Sequence, residues 1–143
     1  MRILVTGGFG FVGSKAVAAL AGAGHSIRVL DVAGHPLRDR FAQLWAGIGR
    51  VEIVEGDVSV YRDVEGAVKG CDRVLHTAAL LNSIASYSDF HRVNALGTEN
   101  VCQASLQARV KRMVVVSTSD VFGIPTLGQT LDEQSELQSW GEP

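Results

Sequence analysis

The sequence predicts an α/β domain on a doubly wound parallel sheet of about five strands, in the order 3-2-1-4-5. Three observations carry this. Short apolar runs rich in Val, Ile and Leu alternate with stretches of helical periodicity. The runs are continuous rather than alternating, as in strands buried on both faces. The first run, Ile3-Leu4-Val5, leads through a glycine turn straight into a helical pattern. Right-handed crossovers between such strands give the stated order.

The elements follow in sequence. Arg2 to Thr6 is the first strand. The turn Thr6-Gly7-Gly8-Phe9-Gly10-Phe11-Val12-Gly13 satisfies G-x-G-x-x-G with Gly8, Gly10 and Gly13, and G-x-x-G-x-x-G with Gly7, Gly10 and Gly13. Glycine serves three needs here: positive φ in a tight turn, approach of backbone N–H groups to a pyrophosphate, and close packing of helix on strand. The helix start adds unpaired N–H groups and a positive dipole end. With a strand before it and a helix after it, the turn reads as a dinucleotide cradle.

Phe11 to Gly22 is the first helix, ended by Gly22-Ala23-Gly24. Ile27 to Leu30 is the second strand, closing on Asp31. Leu37, Phe41, Leu44, Trp45 and Ile48 recur at helical spacing and give a helix over about 38–47. Val51 to Val54 is the third strand, ending at Glu55-Gly56-Asp57. Val60, Val64, Ala67 and Val68 mark a short helix stopped by Gly70. Arg73 to His76 is the fourth strand. A long helix runs from about Ser86 or Asp89 to Ala108, and Arg112 to Ser117 is the fifth strand. Asp120 to Pro143 reads as loop with one turn of helix.

The 143 residues, 46% hydrophobic and 20% charged, suit one soluble domain with a real core. The net charge of -2, with no basic cluster beyond Lys111-Arg112, argues against a nucleic-acid partner. No apolar run approaches the roughly 20 residues that cross a bilayer. No cleavage site follows the first run, so a cytoplasmic location and no membrane partner are expected. Cys71 and Cys102 fit no metal spacing, so no metal site is expected and both read as reduced thiols.

Several strand ends carry chemistry. Asp31 stands 18 residues after Gly13. A carboxylate there accepts hydrogen bonds from adenosine ribose hydroxyls and repels a 2′-phosphate, favouring NAD over NADP. The plain alternative is a solvated acid at a strand end. Arg28, Arg38 and Arg40 are nearby, none at the obvious place for a phosphate clamp. Asp57 with Val58 suits an adenine amino group and ring; local chemistry alone suits a turn or N-cap equally well. His76 reads as a packed core histidine rather than a catalyst, and the small residues Thr77, Ala78 and Ala79 leave room for a cofactor. Asn94 and Gly97 are poor helix-interior choices. Asn94 either bridges backbone groups or is a tolerated surface residue. Ser117, Thr118 and Ser119 put hydroxyls at the end of the fifth strand, facing the cleft or capping their own backbone.

The motifs Thr6 to Gly13, Gly56-Asp57-Val58, His76-Thr77-Ala78-Ala79, Val93 to Asn100 and Ser117 to Gly123 occur in that order. Together they resemble the extended short-chain dehydrogenase/reductases, the NAD-dependent epimerase/dehydratase family. The resemblance spans the whole chain and implies a Rossmann-type fold and NAD as cofactor. It implies that Gly7, Gly10, Gly13 and the backbone of Phe11 and Val12 bind pyrophosphate. Asp31 would hold the adenosine ribose and Asp57-Val58 the adenine. Thr77, Ala78, Ala79 and Ser117 would line the nicotinamide side, with Asn94 setting the strand-end geometry. Thr118 falls at the catalytic Ser/Thr, three residues before Val121 of a Val-Tyr-Gly run that here is Val121-Phe122-Gly123. The implied parent is a homodimeric oxidoreductase, epimerase or dehydratase acting on a nucleotide sugar or other secondary alcohol. Ser119 replaces the acid of the family's dehydratases, which favours epimerisation or alcohol oxidation.

One departure matters. The family's catalysis needs a Tyr-x-x-x-Lys pair, yet four residues beyond Tyr61 and Tyr87 stand Glu65 and His91. Counted from Thr118, the pair would fall at the end of this sequence, where Gly141-Glu142-Pro143 resembles the residues just before the tyrosine. The expectation is an N-terminal portion of a longer enzyme, without its substrate-binding part and inactive by itself. Its fifth strand would be an exposed edge, as would the apolar face of the long helix. The other class consistent with the sequence is a non-catalytic dinucleotide sensor or scaffold.

Overall fold

The computed structural model describes residues 1–48, 50–81, 84–123 and 128–137. Along them run β1 (Arg2–Thr6), α1 (Phe11–Gly22), β2 (Ser26–Asp31), α2 (Arg38–Ala46), β3 (Val51–Glu55) and α3 (Tyr61–Val68). Then come β4 (Arg73–His76), α4 (Tyr87–Phe90), a π-helical turn (His91–Leu96), α5 (Gly97–Gln107) and β5 (Arg112–Val115). A 3-10 turn, Ser119–Phe122, follows β5. The strands form one parallel sheet in the order β3-β2-β1-β4-β5, as the alternation of elements predicts. This is a Rossmann-like arrangement.

Strand alternation divides the core into two layers. Ile3 and Val5 face Val17, Trp45 and Phe9 on one side of the sheet. Leu4 and Leu30 face Val58, Val64, Val68 and Val101 on the other. Phe9, from the glycine turn, stacks on Trp45 with ring centroids 5.8 Å apart, and Trp45 stacks on Phe41 at 5.1 Å. The turn is thereby keyed to α2. Arg28, on β2, donates from one guanidinium nitrogen to the carbonyls of Ala67 and Lys69 at 2.8 Å each, and from Nε to Glu52 at 2.9 Å. It satisfies carbonyls left open at the end of α3.

Two departures from the sequence reading stand out. The long helix is continuous from Tyr87 to Gln107 but widens over His91–Leu96 into a π-helical turn. There the Thr98 hydroxyl donates to the Asn94 carbonyl at 2.6 Å, giving that carbonyl a partner besides the helix ladder. β5 ends at Val115 rather than Ser117, although Val116 N–H still donates to the His76 carbonyl at 2.9 Å. As expected, β5 is the sheet edge, with Val114, Val115 and Val116 exposed. Leu96 and Leu106 of the long helix are exposed as well. The loop expected after Asp120 begins with the 3-10 turn; Pro125 and Gly141-Glu142-Pro143 lie outside the described residues. Among the described residues, no helix is long and apolar enough to cross a membrane.

Candidate functional site

Parallel register brings strand ends together. Thr6 pairs with Leu30 on one side and His76 on the other, so β1, β2 and β4 end at one level. The chain leaves this edge through Gly7, Asp31 and Thr77. A cleft of about 550 Å³ opens there.

Its floor is the glycine turn. Gly7 has a φ of +67°, and a Cβ on it would lie 2.7 Å from the Ala78 backbone. Gly13 packs α1 against the turn so closely that a Cβ would fall 2.1 Å from the Gly7 carbonyl oxygen. Gly10 is the N-cap of α1; it offers no side-chain cap, and the first turn holds no acid. The leading N–H groups of a twelve-residue helix are therefore available to an anion.

Asp31 spans the turn. Its carboxylate accepts the Phe9 N–H at 2.8 Å and the Val32 N–H at 2.9 Å. Asp57 accepts the Ser59 N–H at 2.8 Å, a turn contact, while its carboxylate also lines the cleft. Gly7, Gly10, Val58, Thr77, Ala78 and Ala79 line the same cleft.

The remaining expected residues stand outside that lining. Phe11 and Val12 are exposed at the start of α1, and Gly13 is buried beneath it. Asn94 meets the cleft only indirectly. Its Oδ1 accepts the Leu80 N–H at 2.7 Å, and its Nδ2 donates to the Leu80 carbonyl at 3.0 Å. Of the two readings of Asn94, the structure has the bridge between backbone groups, both of them belonging to Leu80. Ser117 and Thr118 are exposed beyond β5, and Thr118 Oγ1 accepts the Asp120 N–H at 3.2 Å. The strand-end hydroxyl of Thr118 thus caps its own turn, one of the two readings left open.

His76 is a core residue, 2% exposed. Thr6 Oγ1 receives the N–H groups of Thr77 and Ala78 at 3.3 Å each, so its own proton goes to His76 Nδ1 at 2.6 Å. Thr98 gives its proton to Asn94, so its oxygen accepts from His76 Nε2 at 2.9 Å. These partners assign the neutral Nε2–H tautomer. Burial lowers the His76 pKa from 6.5 to about 4.

Sequence reasoning missed several lining residues, among them Val32, His35, Leu80, Asp89 and Arg92. Arg92 donates to Ser59 Oγ at 2.9 Å and lies 3.6 Å from the carboxylates of both Asp57 and Asp89. Hydrogen bonds from the Ser86 hydroxyl and N–H hold the Asp89 carboxyl below the ordinary carboxylate range. Val32 follows Asp31 directly and was the one findable from sequence. Arg92 reaches Asp57 only through the fold. Among the described residues, no group of His, Cys, Asp or Glu is placed to hold a metal.

Comparisons with known proteins point to the same fold. The family model for the NAD dependent epimerase/dehydratase family matches residues 3–142. A 4-hydroxy-2-methyl-3-oxo-4-farnesyl-3,4-dihydroquinoline-1-oxide ketoreductase from Stigmatella aurantiaca is 38% identical over 139 residues, covering 96% of this chain and 39% of that protein. A 3 beta-hydroxysteroid dehydrogenase/Delta 5-->4-isomerase from Mycobacterium tuberculosis (strain ATCC 25618 / H37Rv) is 36% identical over 127 residues, covering 84% of this chain and 32% of that protein. The crystal structure of DesIV, a dTDP-glucose 4,6-dehydratase from Streptomyces venezuelae with NAD and TYD bound, superposes with a TM-score of 0.83 at 34% identity, covering 96% of this chain and 45% of that one. The chain spans less than half the length of each of these relatives. The chain belongs to the NAD dependent epimerase/dehydratase family.

Proposed function

We propose that this chain is the NAD-holding portion of an enzyme that acts on a secondary alcohol or ketone, either in a nucleotide sugar or in another small molecule. The observation that carries the reading is the uncapped, acid-free start of α1 over a glycine turn, with Asp31 across the same cleft. The residues fit the cofactor: glycines form a turn too tight for a Cβ at Gly7 or Gly13, and the Asp31 carboxylate lines the same cleft. Bound there, NAD supplies a hydride acceptor.

The chain's own groups then divide the work. The N–H groups of Phe11 and Val12 bind pyrophosphate, with Gly7, Gly10 and Gly13 permitting the approach. Asp31 keeps lone pairs beyond its two backbone bonds and accepts from ribose hydroxyls. Its charge opposes a 2′-phosphate. Arg28 is committed to Glu52 and α3, and Arg38 lies 2.7 Å from Glu55, which supports NAD over NADP. Asp57 and Val58 take the adenine. Thr77, Ala78 and Ala79, with Ser117, border the nicotinamide side. Thr118 orients the substrate oxygen.

The proton is moved by a Tyr-x-x-x-Lys pair outside these 143 residues, in a longer protein that also supplies the substrate-binding part. That protein is a cytoplasmic homodimer with no nucleic-acid or membrane partner. The 143 residues alone turn nothing over. Absorbance of NADH during incubation of the full-length protein with nucleotide sugars, sterols and hydroxy acids tests the reading. Reduction of NAD with at least one supports it; binding of NAD without turnover of any supports a non-catalytic sensor instead.

A further inference from the structure

We infer that Arg92 is a positioning residue for the base end of the cleft: it aims the Asp57 carboxylate at the 6-amino group of adenine and so sets the preference for adenine over a 6-oxo purine. The inference rests on the proposed NAD reading, in which Asp57 and Val58 take the adenine.

The backbone of the turn after β3 is held without Arg92. The Asp57 N–H donates to the Asp63 carboxylate at 2.9 Å. Asn100 Nδ2 donates to the Val58 carbonyl at 3.0 Å. Gly97 lets α5 press on Val58 so closely that a Cβ there would lie 2.9 Å from Val58 Cγ2. What remains to be set is the direction of the Asp57 carboxylate. Its Oδ1 accepts the Ser59 N–H at 2.8 Å, and its Oδ2 faces Arg92 Nη1 at 3.6 Å. At that distance the guanidinium attracts the carboxylate without a hydrogen bond, so a lone pair of Oδ2 stays open to a donor in the cleft.

Arg92 is itself held in place. Nη1 donates to Ser59 Oγ at 2.9 Å, and Nη2 lies 3.6 Å from the Asp89 carboxylate. Asp89 is fixed in turn by its capping box with Ser86 at the start of α4. Arg92 sits in the π-helical turn, two residues before the Asn94 that grips Leu80. Such turns recur at functional sites. Asp57, Val58, Asp89 and Arg92 all line the cleft. A carboxylate only accepts hydrogen bonds, and adenine offers a 6-amino donor where a 6-oxo purine offers an acceptor. Aiming that carboxylate therefore sets which base is held.

Isothermal titration of the full-length protein compares NAD with nicotinamide hypoxanthine dinucleotide, in which oxygen replaces the 6-amino group. The wild-type protein should bind NAD about tenfold more tightly, as a hydrogen bond to a charged acceptor warrants. R92L should weaken NAD about fivefold and the analogue less than about twofold, so that the preference shrinks. R92Q should do the same and serves if circular dichroism shows R92L unfolded. R92K keeps a cation beside Asp57 and should keep the preference. In D57N the preference is already lost, and adding R92L should leave it within about twofold of D57N alone. Equal weakening of both dinucleotides in R92L and R92Q, an unchanged preference in them, its loss in R92K, or an undiminished effect of R92L in D57N overturns the inference alone. A wild-type protein that binds both dinucleotides equally removes Asp57 from the adenine contact, and the inference with it. Absence of NAD binding overturns the underlying reading as well.

Discussion

Replacing Gly13 by alanine should destabilise the protein, even though alanine is the better helix former. Gly13 is the third residue of α1, so propensity alone favours alanine by about 1 kcal/mol. Packing opposes it. The new Cβ would lie 2.1 Å from the Gly7 carbonyl oxygen and 2.8 Å from Thr77 Oγ1. Neither neighbour is free to yield. The Gly7 oxygen accepts the Gly10 N–H at 3.0 Å, and Thr77 Oγ1 donates to the Thr6 carbonyl at 2.6 Å. The helix must therefore shift off the turn. Overpacking costs about 1–3 kcal/mol in general, and so short a contact belongs at or beyond the upper end. The net loss is about 2 kcal/mol. Gly22→Ala, in the same helix with nothing within 4 Å of its Cβ, is the control. It should gain about 0.5–1 kcal/mol. Urea midpoints followed by circular dichroism read both, and NAD titration should show weaker binding for Gly13→Ala alone. Equal midpoints for the two variants, or a higher midpoint for Gly13→Ala, would refute the close-packing argument.

Three further outcomes follow from the site. The folded pKa of His76, about 4, lies below its unfolded value of 6.5. Between those values the unfolded chain takes up a proton that the folded chain refuses. The stabilisation is complete above about pH 6.5 and is lost as pH falls toward 4, by up to about 3 kcal/mol. His76→Gln should flatten the fall in urea midpoint between pH 7 and pH 5, and a slope unaltered by that substitution would remove His76 as its source. Asn94→Ala leaves both backbone groups of Leu80 without their partner. It should lose about 1–3 kcal/mol in thermal or urea unfolding. Asp31→Asn keeps the shape and removes the charge. It should lower the preference for NAD over NADP about tenfold, near 1.4 kcal/mol, in paired binding titrations.

Strand order, the glycine turn and the acids at strand ends were readable in sequence because each rests on local chemistry. Val/Ile/Leu runs select buried parallel strands, and Gly7, Gly10 and Gly13 answer to contacts within a few residues of chain or across one strand. What sequence could not show depends on distant partners. The π-helical turn is invisible to periodicity, since six residues do not separate its repeat from that of an α-helix. Asn94 was recognisable as a misfit in a helix, but its partner Leu80 comes from the preceding segment. Arg92 pairs with Asp89 one helical turn away, but the turn after β3 is what places Asp57 beside it. Thr118 and Ser117 have the right residue types at the right strand end, yet the backbone sets Thr118 as the cap of its own 3-10 turn. The bare edge at Val114, Val115 and Val116, by contrast, was expected from the strand order, in which β5 comes last.

In the proposed function, the cleft between Gly7, Asp31 and Ala78 holds NAD. Isothermal titration of the full-length protein with NAD, and separately with NADP, tests it most directly. NAD should bind saturably at one site, at least tenfold more tightly than NADP. No saturable binding of NAD, or tighter binding of NADP, would contradict it.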